Sequence, residues 1–209
     1  MSTTDVPKGS LITGAVGSFM AAAAFIVFYF VLFSPAIGSV GSERAMAAFA
    51  EQRVGAIIVC TALFGLGNLI AFAGYSGLAK VYSGTAIVAG IFGILFGAAG
   101  LFLLLVMLLK IVAMGEAAIA AFGITLLLAN LFAPIGLFPT NGLGKGAGAL
   151  LLASGLVLAF VTVAVLAQSR SLAMIIVENR TIFGLVAFVG AGAAQALAGA
   201  SMLTAKPKA

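Results

Sequence analysis

The chain has 209 residues, 64% of them hydrophobic and 7% charged, with a formal net charge of +5, a single cysteine and no histidine. Soluble domains carry about 25% charged residues, so a mean hydropathy of +1.31 excludes a water-soluble fold. The missing histidine excludes a bis-histidine haem, a histidine metal centre and a histidine general base, and the lone Cys60 excludes a disulfide within the chain.

Six apolar runs of about 20 residues follow one another, each long enough to cross a hydrocarbon core of about 30 Å at about 1.5 Å per helical residue. They cover 11–33, 54–73, 85–109, 117–138, 147–167 and 181–203. An unpaired backbone amide in lipid costs several kcal/mol, and continuous apolar runs lack the alternation of barrel strands. The expected fold is all-α, a single membrane domain of six transmembrane helices.

The N-terminal "MSTTDVPKGS" carries one acid and one base, and the apolar run behind it exceeds the 7 to 15 residues of a signal-peptide core, so the first span is expected to be retained. That span carries Gly14, Gly17, Ala21 and Ala24 at 3, 4, 3 spacing. The segment that follows, Ser34 to Arg53, is the one connection long enough for an extra element. Its "SERAMAAFAEQR" reads either as a helix lying along the interface or as a polar extension of the second span.

The second span holds Cys60, Thr61 and Asn68. The third repeats the small-residue spacing at Gly90, Gly93, Gly97 and Gly100, and the sixth extends it over Gly184, Ala187, Ala191, Ala194, Ala198 and Ser201. A glycine inside a helix costs about 1 kcal/mol against alanine. Four on one stripe must therefore gain from what packs there. Helices in lipid associate through close van der Waals contact, which small side chains permit, and a 3, 4 spacing keeps a seam on one helix side. Tight packing of the first, third and sixth helices is expected, within the chain or between subunits.

In the fourth span, "LLLANLFAPIG" places Pro134 where its missing N–H frees the carbonyl of Asn130. Freed carbonyls form binding sites in broken transporter helices, or are absorbed in a packed kink. The loop "PTNGLGKG" lacks the spacing of a phosphate-binding loop and reads as a turn. Asn68, Asn130 and Gln195, with Thr61 two turns before Asn68, form a candidate polar midplane site; the bland reading is interhelical hydrogen bonding that holds helices together. No Asp, Glu, Lys or Arg lies near the middle of a span, which argues against a carboxylate-coupled pump.

Glu51 with Arg53 and Glu178 with Arg180 mark two helix starts on one side, as interfacial anchors or as a docking surface. Tyr29, Tyr75 and Tyr82 fall near span ends, where tyrosine is favoured. The even-numbered spans share acidic starts and amide side chains, and a lysine precedes each odd one, which suggests three helical hairpins with a period near 65 residues. Lysine and arginine divide five against five between the two sides, while four of five acids lie opposite the termini. Cytoplasmic termini are the resulting expectation.

The polar loop after the first span, "FAEQR" and "GYSGLAKVY" resemble features of uncharacterised six-span bacterial integral membrane proteins over roughly the first 110 residues. That resemblance implies the architecture and a bacterial inner membrane, and no activity, cofactor or site. The expected partners are the lipid bilayer and other membrane subunits or further copies of the chain, with no nucleic acid. A non-catalytic accessory or structural subunit is the first expectation; a small transporter or channel for a neutral or weakly polar solute is the alternative.

Overall fold

The computed structural model describes residues 8–35 and 51–206, and among these seven helices and no strand. We number them α1 Lys8–Phe33, α2 Val54–Val81, α3 Ala86–Leu108, α4 Gly115–Leu137, α5 Gly142–Leu166, α6 Arg170–Glu178 and α7 Arg180–Leu203. All but α6 are long and apolar enough to span a membrane. The protein is a multi-pass, all-α integral membrane bundle. The segment "SERAMAAFAEQR" lies outside the described residues except for Glu51, Gln52 and Arg53.

Each spanning helix packs on its neighbour in the chain, and α7 returns onto α1, so the six close into a ring. Backbone contact sets the spacing of that ring. Gly14 of α1 meets the backbone of Gly74 in α2, and a methyl added at Gly17 would lie 2.6 Å from the carbonyl oxygen of Gly67. A methyl on Gly97 of α3 would lie 2.8 Å from the carbonyl oxygen of Gly65, and one on Gly100 3.3 Å from the Gly65 nitrogen. Gly90 faces Phe72 and Tyr75, and Gly93 lies by Asn68.

The seams therefore close within the chain, but those of α1 and α3 both close on α2. Helix α2 carries the matching stripe, Gly67, Ala71 and Gly74 at 4, 3 spacing, which the sequence reading passed over in favour of the polar Asn68 beside it. Helix α7 meets α1 through Gly192 and Gly199, where an added methyl would come 3.2 Å from the carbonyls of Ala22 and Ala15. On α7, Ala191, Ala194 and Ala198 are fully buried, as are Ala21 and Ala24 on α1; Gly184 abuts Phe33 and Tyr29.

Several boundaries differ from the sequence reading for identifiable reasons. Helix α2 runs eight residues beyond Ala73 because Gly74 and Gly77 stay packed on α1, with Gly77 against Leu11. Tyr75 is consequently buried inside the ring and is no interfacial anchor. The "NGLGKG" stretch opens α5: the Asn141 side chain accepts a hydrogen bond from the Gly144 amide at 2.9 Å, capping the helix start. Helix α4 runs unbroken through Pro134.

The expectation that only 34–53 could hold an extra element is corrected by α6. Its start is capped by Ser169, which accepts from the Leu172 amide, and Arg170 and Glu178 at its two ends bracket a continuous apolar run, as in a short interfacial helix. Both α3 and α5 end through a left-handed non-glycine residue, Lys110 at φ 52° and Gln168 at φ 49°. Behind each, an amide reaches back to close the last turn, from Ile111 to the carbonyl of Val106 and from Ser169 to that of Ala164.

Overpacking a filled contact costs about 1 to 3 kcal/mol, whereas alanine in open space gains about 0.5 to 1 kcal/mol over glycine. Gly17→Ala is expected to lower the midpoint of unfolding in an SDS titration from mild micelles. Gly123→Ala, whose added methyl meets nothing within 4 Å, is expected to raise it.

Candidate functional site

Six helices around a common axis leave their inward residues to fill the middle, and here the filling divides along the axis. Towards the side away from the termini, Phe25, Phe64, Phe96 and Phe122 from α1 to α4 form one aromatic cluster. Phe25 meets Phe64 edge-on at 4.7 Å, and Phe96 meets Phe122 at 4.9 Å. Such ring pairs contribute about 0.5 to 1.5 kcal/mol beyond their buried area. The cluster fills that half of the interior with aromatic bulk, and the buried Thr61 and Tyr29 there donate their hydroxyls to the carbonyls of Ile57 and Thr181.

Beside this cluster lies a small internal cavity of about 10 Å³, to which all six spanning helices contribute. Asn68, Asn130 and Gln195 line it together, with Tyr75, Phe25 and Phe96. Each amide comes from a different even-numbered member of the six-helix series. Such a volume holds about one water-sized molecule.

The amides do not bond across helices. Asn68 Nδ2 donates to the Phe64 carbonyl and Asn130 Nδ2 to the Leu126 carbonyl, each at 2.9 Å and each one turn back on its own helix. This leaves Asn130 Oδ1 and Gln195 Oε1 buried with no partner in the protein. An unsatisfied buried acceptor costs about 1 to 3 kcal/mol, more than the roughly 0.6 kcal/mol that an interhelical bond in a membrane returns. Interhelical glue is therefore not what these side chains supply.

The remaining candidates fall elsewhere. Thr61 is buried, but its hydroxyl donates to the Ile57 carbonyl at 2.8 Å and it stays outside the cavity lining. Pro134 is buried without lining the cavity, and the Asn130 carbonyl that it frees lies against Gly155 of α5, where an added methyl would sit 3.1 Å from the oxygen. Close packing covers that acceptor. At the periphery, Arg53 donates to the Val31 carbonyl, tying α2 to the end of α1. Glu51, Glu178 and Arg180 are exposed, and Glu178 and Arg180 form no ion pair with each other.

Two polar features were not singled out from the sequence. Ser154, fully buried, donates across the α5 and α7 interface to the Ala187 carbonyl at 2.6 Å. Asn141 joins α5 to the end of α7, accepting from Ser201 Oγ at 2.7 Å and donating to the Ser201 carbonyl at 3.1 Å. A serine in an apolar run signals such a bond only once its neighbour is known. Among the described residues no group of three or more His, Cys, Asp or Glu could hold a metal.

Comparison with known proteins finds no match among protein-family models, curated proteins or solved structures.

Removing an amide that lacks its partner relieves a cost, whereas removing a made bond incurs one. Gln195→Met is expected to raise unfolding stability in micelles by about 1 kcal/mol and Ser154→Ala to lower it by about 1 kcal/mol. A loss of stability on Gln195→Met would mean that its amide is bonded.

Proposed function

We propose that the protein is a non-catalytic membrane facilitator that passes a water-sized, uncharged hydrogen-bond donor, such as ammonia or water, through the centre of its helix ring. The observation that carries this reading is the convergence of Asn68, Asn130 and Gln195 on one internal cavity with two amide oxygens left without partners. Acceptors without donors favour a solute that brings its own N–H or O–H. No ionisable side chain other than Tyr75 lines the cavity, so a charged solute would find no counter-charge and would bear its full desolvation cost.

The axial division of the interior suggests how passage is gated. Towards the termini, Tyr75 lines the cavity, and Ser18, Thr140 and Ser201 are the buried hydroxyl-bearing residues of that half. On the far side the four phenylalanines close the path, as hydrophobic constrictions do in channels. The termini are taken as cytoplasmic, which the larger net positive charge on the terminal side supports, and the membrane as a bacterial inner membrane, which rests on the resemblance alone.

Purified protein in liposomes tests the reading, with ammonia entry followed by an internal pH dye and water flux by light scattering. Flux of one of these above that of empty liposomes is expected. Asn130→Leu with Gln195→Leu should cut it about tenfold, the equivalent of one lost hydrogen bond. Protein that folds yet carries neither solute would refute facilitation and favour an accessory subunit, whose partner a mild-detergent pull-down would then reveal.

A further inference from the structure

Where α5, α6 and α7 meet the end of α1, a half-open apolar groove of about 240 Å³ faces the lipid side of the ring. Its walls include Phe33, Val157, Val161, Ile176 and Phe188, and its one charged lining residue is Arg180. Two independent features shape it. The last turns of α1, Phe28–Phe33, and a turn of α7, Leu185–Val189, are both wound as π-helix, a departure that occurs frequently at functional sites. They meet at the groove's inner wall, where Phe188 lies 4.9 Å from both Phe28 and Phe33. Gly184 keeps the floor open, since a side chain there would run into Phe33.

We propose that this groove binds one anionic phospholipid of the leaflet facing away from the termini, an acyl chain lying along the apolar walls and the phosphate held by Arg180. The arginine is the first residue of its span, which sets it at headgroup height, and it forms no ion pair with a protein carboxylate among the described residues. A guanidinium matches a phosphate with two parallel N–H bonds. The nearest acid in sequence, Glu178, borders a separate groove with Arg170 on the outer face of α6. Helix α6 contributes Ile176 from the interfacial side, so the site is apolar inward and cationic at its rim, the polarity of an anionic lipid.

The chain contains no tryptophan, so Phe183→Trp at the groove provides a single fluorophore that chain-brominated lipid quenches on contact. Liposomes with graded brominated phosphatidylglycerol or brominated phosphatidylcholine are the probes. A cation at the membrane surface favours anionic lipid about fivefold. Phosphatidylglycerol is expected to quench at about fivefold lower mole fraction, and Arg180→Gln in the Phe183→Trp background should abolish that difference. Leu156→Trp, on the lipid-facing side of α5, should show no preference. Native mass spectrometry of the unsubstituted protein gives a second measure: one phosphatidylglycerol retained per chain, displaced by Val157→Phe. Equal quenching by both lipids at Phe183→Trp, or an unchanged preference in Arg180→Gln, would overturn the proposal, as would a protein partner seated on this face in place of lipid.

Discussion

Backbone contact between α1, α2 and α3 governs the rest of this molecule. Lipid offers no hydrophobic gain for bringing helices together, because its tails are as apolar as leucine. What remains is dispersion between surfaces that fit, and the glycines at 14, 17, 67, 74, 97 and 100 remove the side chains that would hold those surfaces apart. Helix α2 receives a seam on each of two sides, from Gly14 and Gly17 of α1 and from Gly97 and Gly100 of α3. The propensity cost of each glycine is about 1 kcal/mol, within the return from contact at main-chain distance.

That spacing also determines what fills the interior. With small residues spent on contacts between neighbours, bulk concentrates on the axis in Phe25, Phe64, Phe96 and Tyr75, and on the lipid face in residues such as Ile91, Leu95, Ile119 and Leu156. The amides occupy the gap that the phenylalanines leave. Two unpartnered oxygens in that gap cost about 1 to 3 kcal/mol each, a penalty that packing alone would remove by substituting leucine or methionine. Their retention in an otherwise well-bonded interior is the physical reason to regard the cavity as a site.

Much of this was legible in the chain. Six spans, the absence of ionisable groups at mid-membrane, and the small-residue stripes follow from hydropathy and spacing. The three amides could be singled out because polar side chains are rare in such runs, but not their bonding, since donation to Phe64 or Leu126 depends on rotamer. The partner of the α1 and α3 seams was passed over although Gly67, Ala71 and Gly74 carry the same 4, 3 spacing and face α1; the closest backbone contact with α3 rests on Gly65 alone and leaves no stripe to read. Helix α6 escaped notice because its nine residues fall below spanning length, although Ser169 and the mixed "RSLAMIIVE" carried a capping and amphipathic signal. The π-helical turns have no signature in residue spacing; they emerge from how α1 and α7 meet.

The central claim, that the small-residue faces are satisfied inside one chain and close the ring from first helix to last, has a direct test. In a Cys60→Ala background, cysteines at Phe25 of α1 and Gly192 of α7 would have Cβ atoms about 3.2 Å apart, within a small shift of disulfide geometry. Oxidation in native membranes with a lipophilic copper catalyst should yield an intramolecular disulfide and a monomer on a non-reducing gel. Covalent dimers, or two thiols that stay free to alkylation, would contradict it.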